Sequence, residues 1–215
     1  MLKQPLFSET RIDVMHALMV AHPFATLVSA ATGGLSADHV PLVLHVGEGE
    51  CGVLRGHLAA NNALFRQTDG PIEVLSVFQG PQTYVTPSWY ASKQEHGKVV
   101  PTWNYVVVHA RGTLNFTQDT AWLMQHLSDL TAQHESHRAA PWAVTDAPDD
   151  FIARQLRHLV GFEISVTDLQ GTWKVSQNKA LQDWTGVRDG LSAAGDPEAE
   201  AISKLVEERA RSKAP

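Results

Sequence analysis

The stretch "GKVVPTWNYVVVHARGTLNF", residues 97–116, constrains the fold more than any other part of the chain. From Val100 to Phe116 its side chains alternate with a period of two, the signature of a strand, and the run is longer than an ordinary strand. Alternation places Trp103, Tyr105, Val107 and His109 on one face and Thr102, Asn104, Val106 and Val108 on the other. Shorter segments of the same kind surround it: "FATLVSA" (residues 24–30), "HVPLVLHV", "CGVLRGHLA", "EVLSVFQ", "QTYVT" and "GFEISVTDLQG". Turn signals separate several of them, namely "TGGLSAD", "GEGE" and the pair Gly80-Pro81. Short strands at this spacing predict a β-rich barrel or sandwich of roughly six or seven strands.

Helical segments flank these strands. Thr10 is the expected N-cap of a first helix, with Asp13 three residues on, Ile12, Met15 and Met19 on one face, and Pro23 as its stop. "NNALFRQTD" reads as one or two helical turns. "DTAWLMQHLSDLTAQHE" carries Leu123, Leu127 and Leu130 on one stripe. "DAPDDFIARQLRHLV" reads as a short helix, with Pro148 near its start and Gly161 just past its end. The last helix opens on Asp196 and Pro197, a strong start signal. It carries little apolar surface, so it packs weakly or meets a partner. The expected organisation is one domain over residues 1–190 and a helical tail over residues 191–215.

Charge and cysteine content narrow the function classes. A net charge of -6 with neutral histidines gives no global cationic surplus for binding nucleic acid non-specifically. A single cysteine, Cys51, excludes an internal disulfide and fits a reducing compartment. The N-terminus lacks an apolar signal core, and no run is long enough to cross a membrane. A cytoplasmic protein is expected.

Among motifs, neither G-x-G-x-x-G nor G-x-x-x-x-G-K-[ST] is present. "GEGECG" joins two strands instead of opening a helix, so it reads as a hairpin turn. No H-E-x-x-H occurs, one cysteine rules out thiolate-rich zinc sites, and no metal site is expected. His126, His134, His137 and His158 read as solvent-facing helix polarity. No G-x-S-x-G occurs, and Ser88 beside Trp89 reads as turn chemistry rather than as a nucleophile.

One constellation does point to chemistry. "DHVPL" places His39 at a strand start. "RGHLAANN" places His57, Asn61 and Asn62 at a strand end. "GKVVPTWN" brings Lys98, Thr102, Trp103 and Asn104. "GTWKVSQNK" brings Thr172, Trp173, Lys174, Ser176, Gln177, Asn178 and Lys179. Lysines with hydroxyl and amide donors suit a phosphate, amide side chains suit the polar rim of a flat ring, and aromatic walls cover its face. The competing reading for any single residue is a core or interface aromatic or a solvated lysine; the density across four segments favours a site for an aromatic phosphate ester.

The motifs "HVPLVL", "GHLAANN", "GPQTYVTPSWY", "GKVVPTWNY" followed by "VHARG", and "SQNK", in this order, resemble the PaiB-type FMN-binding negative transcriptional regulators. The likeness runs from the first helix to "SQNKA". It implies a β-rich α+β fold: a split β-barrel of the pyridoxamine-phosphate-oxidase and flavin-reductase kind with peripheral helices. It also implies FMN as cofactor and a homodimer with flavin at the subunit interface. A regulatory role is implied too, reached through a DNA or protein partner and not through a membrane. With that cofactor in the constellation above, Lys98, Thr102 and Lys174 are expected near the phosphate, and Ser176, Gln177 and Asn178 are expected to serve phosphate or ring edge. His39, His57, Asn61 and Asn104 line the isoalloxazine. Ala63 stands where the family often has a proline after the asparagine.

No helix-turn-helix spacing follows Leu130, because "TAQHESHRAAPW" is too long and polar for that turn. Two functions therefore lead, an FMN-linked regulator or sensor and an FMN-dependent oxidoreductase using NAD(P)H, with a flavin store or non-catalytic barrel as a third. For the second, His57, His109 and Tyr105 are the groups available for proton handling. No catalytic residue is assigned.

Overall fold

The protein is described by a computed structural model covering residues 4–31 and 34–211. Its elements begin β1 (Ser8–Glu9), α1 (Ile12–Ala21), β2 (Phe24–Ala31), β3 (Gly34–Pro41), β4 (Val43–His45), β5 (Val53–Ala59), α2 (Ala63–Arg66) and β6 (Ile72–Val85). They continue α3 (Ser92–His96), β7 (Thr102–Thr117), α4 (Thr120–Glu135), α5 (Asp149–Leu156), β8 (Leu159–Lys174), α6 (Leu181–Ala193) and α7 (Pro197–Arg211). Hydrogen bonding orders the strands β3-β2-β6-β7-β8-β5-β4, with β1 paired to β8. The chain divides into two compact units. The first holds Met1–Arg11, Gln79–Val108 and Gln170–Pro215; the second holds Ile12–Phe78 and His109–Leu169.

In the second unit, β2 and β3 form an antiparallel hairpin from Phe24↔Pro41 to Ala31↔Gly34. This corrects the expected turn. Gly34–Asp38 is strand, and Thr32 and Gly33 lie outside the described residues. Most of β3 is exposed and it ends the strand order, so its Gly, Ser and Asp meet solvent while β2 satisfies the backbone. Leu27, Leu54, Phe78, Leu114, Phe162 and Ile164 are fully buried and build the core. Met15 and Met19 of α1 join it, whereas Ile12 is 43% exposed. Helix α5 stops at Leu156, not near Gly161, which already lies inside β8. A Cβ at Gly161 would come within 2.3 Å of the Trp122 ring, so glycine here permits close packing rather than ending a helix.

The Gly80-Pro81 turn is also overturned: β6 continues through it. Val74, Ser76, Phe78 and Gly80 are buried, and then Pro81 and Val85, so the alternation slips by one residue at that pair. Such a slip is the behaviour of a bulge, where a strand tolerates a residue without an N–H.

In the first unit, α6 is an element absent from the expected organisation, and the expected boundary at 190/191 falls inside it. Its Gly186 and Gly190 lie against Trp89: added Cβ atoms would come within 2.0 Å of the Trp89 carbonyl oxygen and 2.4 Å of its ring. Asp183 of α6 accepts from the Ser92 N–H at 2.9 Å and from the Ser92 hydroxyl at 2.7 Å. Helix α7 is better packed than its composition suggests. Ala199, Ile202 and Val206 are buried, the Trp184 indole N–H donates to the Val206 carbonyl at 3.1 Å, and Ser203 donates to the Arg188 carbonyl at 2.9 Å. Glu9, buried on β1, accepts from Arg11 and from Arg209. Burial pushes its carboxyl upward, but the Arg11 and Arg209 bonds outweigh that and hold it at about 2.

Candidate functional site

Five of the expected site residues meet in the first unit, at the start of β7 and the end of β8. The Lys174 ammonium donates to Thr102 Oγ1 at 2.5 Å and to the Trp103 carbonyl at 2.6 Å. Below it, Asn104 is fully buried; its Nδ2 donates to Ser176 Oγ at 2.9 Å, and the Ser176 hydroxyl lies 3.2 Å from Asn104 Oδ1. Ser176 has φ 63°, the left-handed conformation that a side chain rarely adopts outside a tight turn. Gln177 holds that turn: its Oε1 accepts from the Val175 N–H at 2.7 Å and its Nε2 donates to the Trp173 carbonyl at 2.5 Å.

The electrostatics of this cluster favour an anion. Burial pushes the Lys174 ammonium below the usual lysine value, and the charge of Lys179 adds to the shift. Lys179 lies over the Tyr90 ring, 4.2 Å from its centroid. Among the described residues neither lysine forms a salt bridge. An ammonium has three donors and a hydroxyl one, so Lys174 and Thr102 each keep a hydrogen for an incoming oxygen. A half-buried, unpaired cation beside a second cation gains most from a phosphate-like dianion. The donor set fits the phosphate of FMN.

Lys98 and Asn178 are exposed and take no part in these bonds; the Lys98 backbone N–H donates to His96 Nδ1 at 3.0 Å. His39, His57 and Asn61 belong to the second unit. His39 is exposed on β3, with its ring 6.2 Å from that of Phe24. Asn61 is exposed in the turn after β5. Its neighbour Asn62 orders that turn through both ends of its amide. Oδ1 caps α2 by accepting from the Leu64 N–H at 2.8 Å, and Nδ2 donates to Asp38 at 2.7 Å. Those bonds hold the turn without the family's proline.

His57 forms the second polar cluster. Its Nδ1 lies 3.1 Å from Nε2 of His126, so one ring donates and the other accepts. His126 is 1% exposed and stacks on Trp122, with centroids 5.4 Å apart. This corrects the reading of His126 as solvent-facing, whereas His134, His137 and His158 are indeed exposed. Burial, reinforced by any charge on His57, lowers His126 to about 4; burial also lowers His57 and His109. Both imidazoles of the pair are therefore neutral near pH 7. A signal for this is present in α4, because His126 sits three residues from Leu123 on the inward stripe. Lys179 is visible in "GTWKVSQNK", but its partnership with Tyr90 needs the fold.

Residues 1–168 match the family model described as "Putative FMN-binding domain". Over 241 aligned residues the chain is 32% identical to the uncharacterized protein AN0679 of Emericella nidulans, covering 96% of each. It is 29% identical over 203 residues to the protease synthase and sporulation protein PAI 2 of Bacillus subtilis, covering 94% of this chain and 95% of that one. Among solved structures, the FAD and heme binding protein of Mycobacterium smegmatis matches with TM-score 0.59 and 14% identity, over 83% of this chain and 78% of that one. The flavocytochrome Anf3 of Azotobacter vinelandii matches with TM-score 0.56 and 12% identity, over 86% and 78%. At such identities the likeness is one of fold, and it agrees with the expected flavin-binding split-barrel class. With the model match covering most of the chain and the curated relatives nearly all of it, the chain belongs to this FMN-binding domain family, whose cofactor is FMN.

Proposed function

We propose that the protein is a flavin-linked regulator or sensor that holds the FMN phosphate at Lys174 and Thr102. The observation that carries this reading is the unpaired Lys174 ammonium, fixed by Thr102 and the Trp103 carbonyl beside Lys179. Ser176 and Gln177 shape the turn that presents it, Asn104 positions Ser176, and Lys98 and Asn178 supply exposed polar groups at the rim. His39, His57 and Asn61 are ring-side residues in this reading, each tested by the FMN spectrum of its alanine variant. When bound, FMN supplies redox chemistry; the chain orients it and neutralises its charge.

The regulatory half of the reading is supported by the Bacillus subtilis relative, whose name ties it to protease synthesis and sporulation. A homodimer in the cytoplasm is the proposed working form. Among the described residues no helix is long and apolar enough to cross a membrane. The net charge of -6 favours a protein partner over a broad electrostatic contact with DNA. A mobility-shift assay on DNA upstream of the protein's own coding sequence, across several salt concentrations, separates the two routes.

A second reading, an FMN-dependent oxidoreductase using NAD(P)H, is favoured by one observation. His57 and His126 form a hydrogen-bonded pair of neutral imidazoles able to pass a proton. Stopped-flow mixing with NADH and with NADPH tests it: flavin reduction no faster than free FMN with both donors sinks it.

The direct test of the flavin reading is calorimetry with FMN, riboflavin and inorganic phosphate. Lys174→Met should weaken FMN by about 1.5–3 kcal/mol and leave riboflavin unchanged. Equal loss for both ligands removes Lys174 from the phosphate.

A further inference from the structure

Odd-numbered residues at the start of β7 face away from Asn104 and Ser176, and there the first unit has a second polar concavity. Trp103 and Tyr84 are 49% and 48% exposed, an unusual state for two large aromatic side chains on neighbouring strands. Their rings stand edge to face, 63° apart with centroids 6.2 Å apart, and form two walls of a corner. Gln82 fixes one wall by accepting the Trp103 indole N–H at 2.9 Å. The start of α7 adds Asp196 and Glu198, which line the same cavity of about 580 Å³. Its lining contains two carboxylates and no basic side chain.

Those carboxylates are held in place rather than loose. Glu198 Oε2 accepts from the Gln82 N–H at 2.9 Å. Asp196 accepts from the Glu198 N–H at 3.3 Å and from the Ala199 N–H at 3.4 Å. The helix's leading amides are therefore engaged by Asp196 and do not offer an anion site. Each carboxylate lines the cavity and accepts fewer bonds than its two oxygens can take. Two aromatic rings set at a steep angle and two fixed negative charges in a space of small-ligand size are the ingredients of ammonium recognition. The ring faces attract the cation through their quadrupoles, its alkyl groups bury against the rings, and the carboxylates add charge that a neutral ligand does not use.

We propose that the cavity walled by Trp103 and Tyr84 is a binding site for an organic ammonium ion. The ligand is an alkylated amine, with its nitrogen between the ring faces and the carboxylates of Asp196 and Glu198. This site does not depend on flavin: a protein that binds no FMN could still have it.

The test is a titration of the full chain at constant ionic strength, followed through the Trp103 indole N–H resonance, assigned by its loss in Trp103→Phe. Choline is the probe and 3,3-dimethylbutan-1-ol its uncharged isostere. A saturable shift is expected with choline, and binding about tenfold weaker for the alcohol. Glu198→Gln should weaken choline about threefold while leaving the FMN-induced visible spectrum as it was. Tyr84→Leu should weaken it further. Equal binding of choline and the alcohol overturns the proposal, since the site would then be apolar only. No saturation up to tens of millimolar overturns it as well. So does an indole shift that depends on protein concentration without ligand, which would make this face a contact between copies of the chain.

Discussion

The two buried polar clusters solve the same problem in opposite ways. In the first unit, Asn104 and Ser176 satisfy each other beneath an ammonium that stays charged and unpaired. In the second, His57 and His126 satisfy one nitrogen each, and Nδ1 of His126 is buried with no hydrogen-bond partner among the described residues. The first leaves a cation without an acidic partner, which is why we propose it as the phosphate site. The second stays neutral, because burial makes a second proton costly. A polar group inside a protein is thus not evidence of a charged site; what matters is whether its neighbours stabilise the charge.

Acid titration should separate the clusters most strongly. His126 has its folded pKa lowered to about 4, so the unfolded chain takes up a proton first as pH falls. Its contribution is fully present above about pH 6.5 and is lost as pH drops towards 4, about 3 kcal/mol in all. His57, His45 and Arg55 oppose its protonation and Asp129 favours it. Glu9 follows the carboxylate version of the same rule: its contribution is present above about pH 4.5 and is lost towards about 2. Urea unfolding monitored by hydrogen exchange at each pH should show the second unit losing protection first, and His126→Leu should flatten that step. Simultaneous loss in both units would break the contrast.

The next largest effect is expected at Asn104. Asn104→Leu strands the buried Ser176 hydroxyl and should cost about 2 kcal/mol of stability, read from the denaturation midpoint. A neutral result would mean that Ser176 finds another partner and that the first cluster is not a satisfied pair. Smallest is the cap: Asn62→Ala removes the bonds to Leu64 and Asp38 and should cost about 1 kcal/mol in the same measurement. No loss would show that the turn after β5 is ordered without it.

Much of this arrangement is legible in the residues themselves. The alternation of residues 100–116 sorts the two faces of β7 as observed, and the structure adds that the face with Asn104 is the buried one and the face with Trp103 the more exposed. The segments "GKVVPTWN" and "GTWKVSQNK" supply Thr102, Asn104, Lys174, Ser176 and Gln177, which do meet. Lys98 and Asn178 share those segments but lie exposed, since sequence proximity does not aim a side chain. Gly80-Pro81 misleads because its local turn preference is outweighed by the strand that runs through it from Ile72 to Val85. Helix α6 carries Trp184, Val187 and Leu191 at helical spacing, but Gly186 and Gly190 on its packed side and the polar residues between them thin that stripe to a weak signal.

Strand period, helix caps and the short polar motifs are properties of a single segment, so they can be read from the order of residues alone. Burial of His126, the encounter of Lys174 with Thr102, and the corner made by Tyr84 and Trp103 each need atoms distant in the chain. Only packing brings those together, and a side chain's environment, hence its charge and its chemistry, is set by what packs against it.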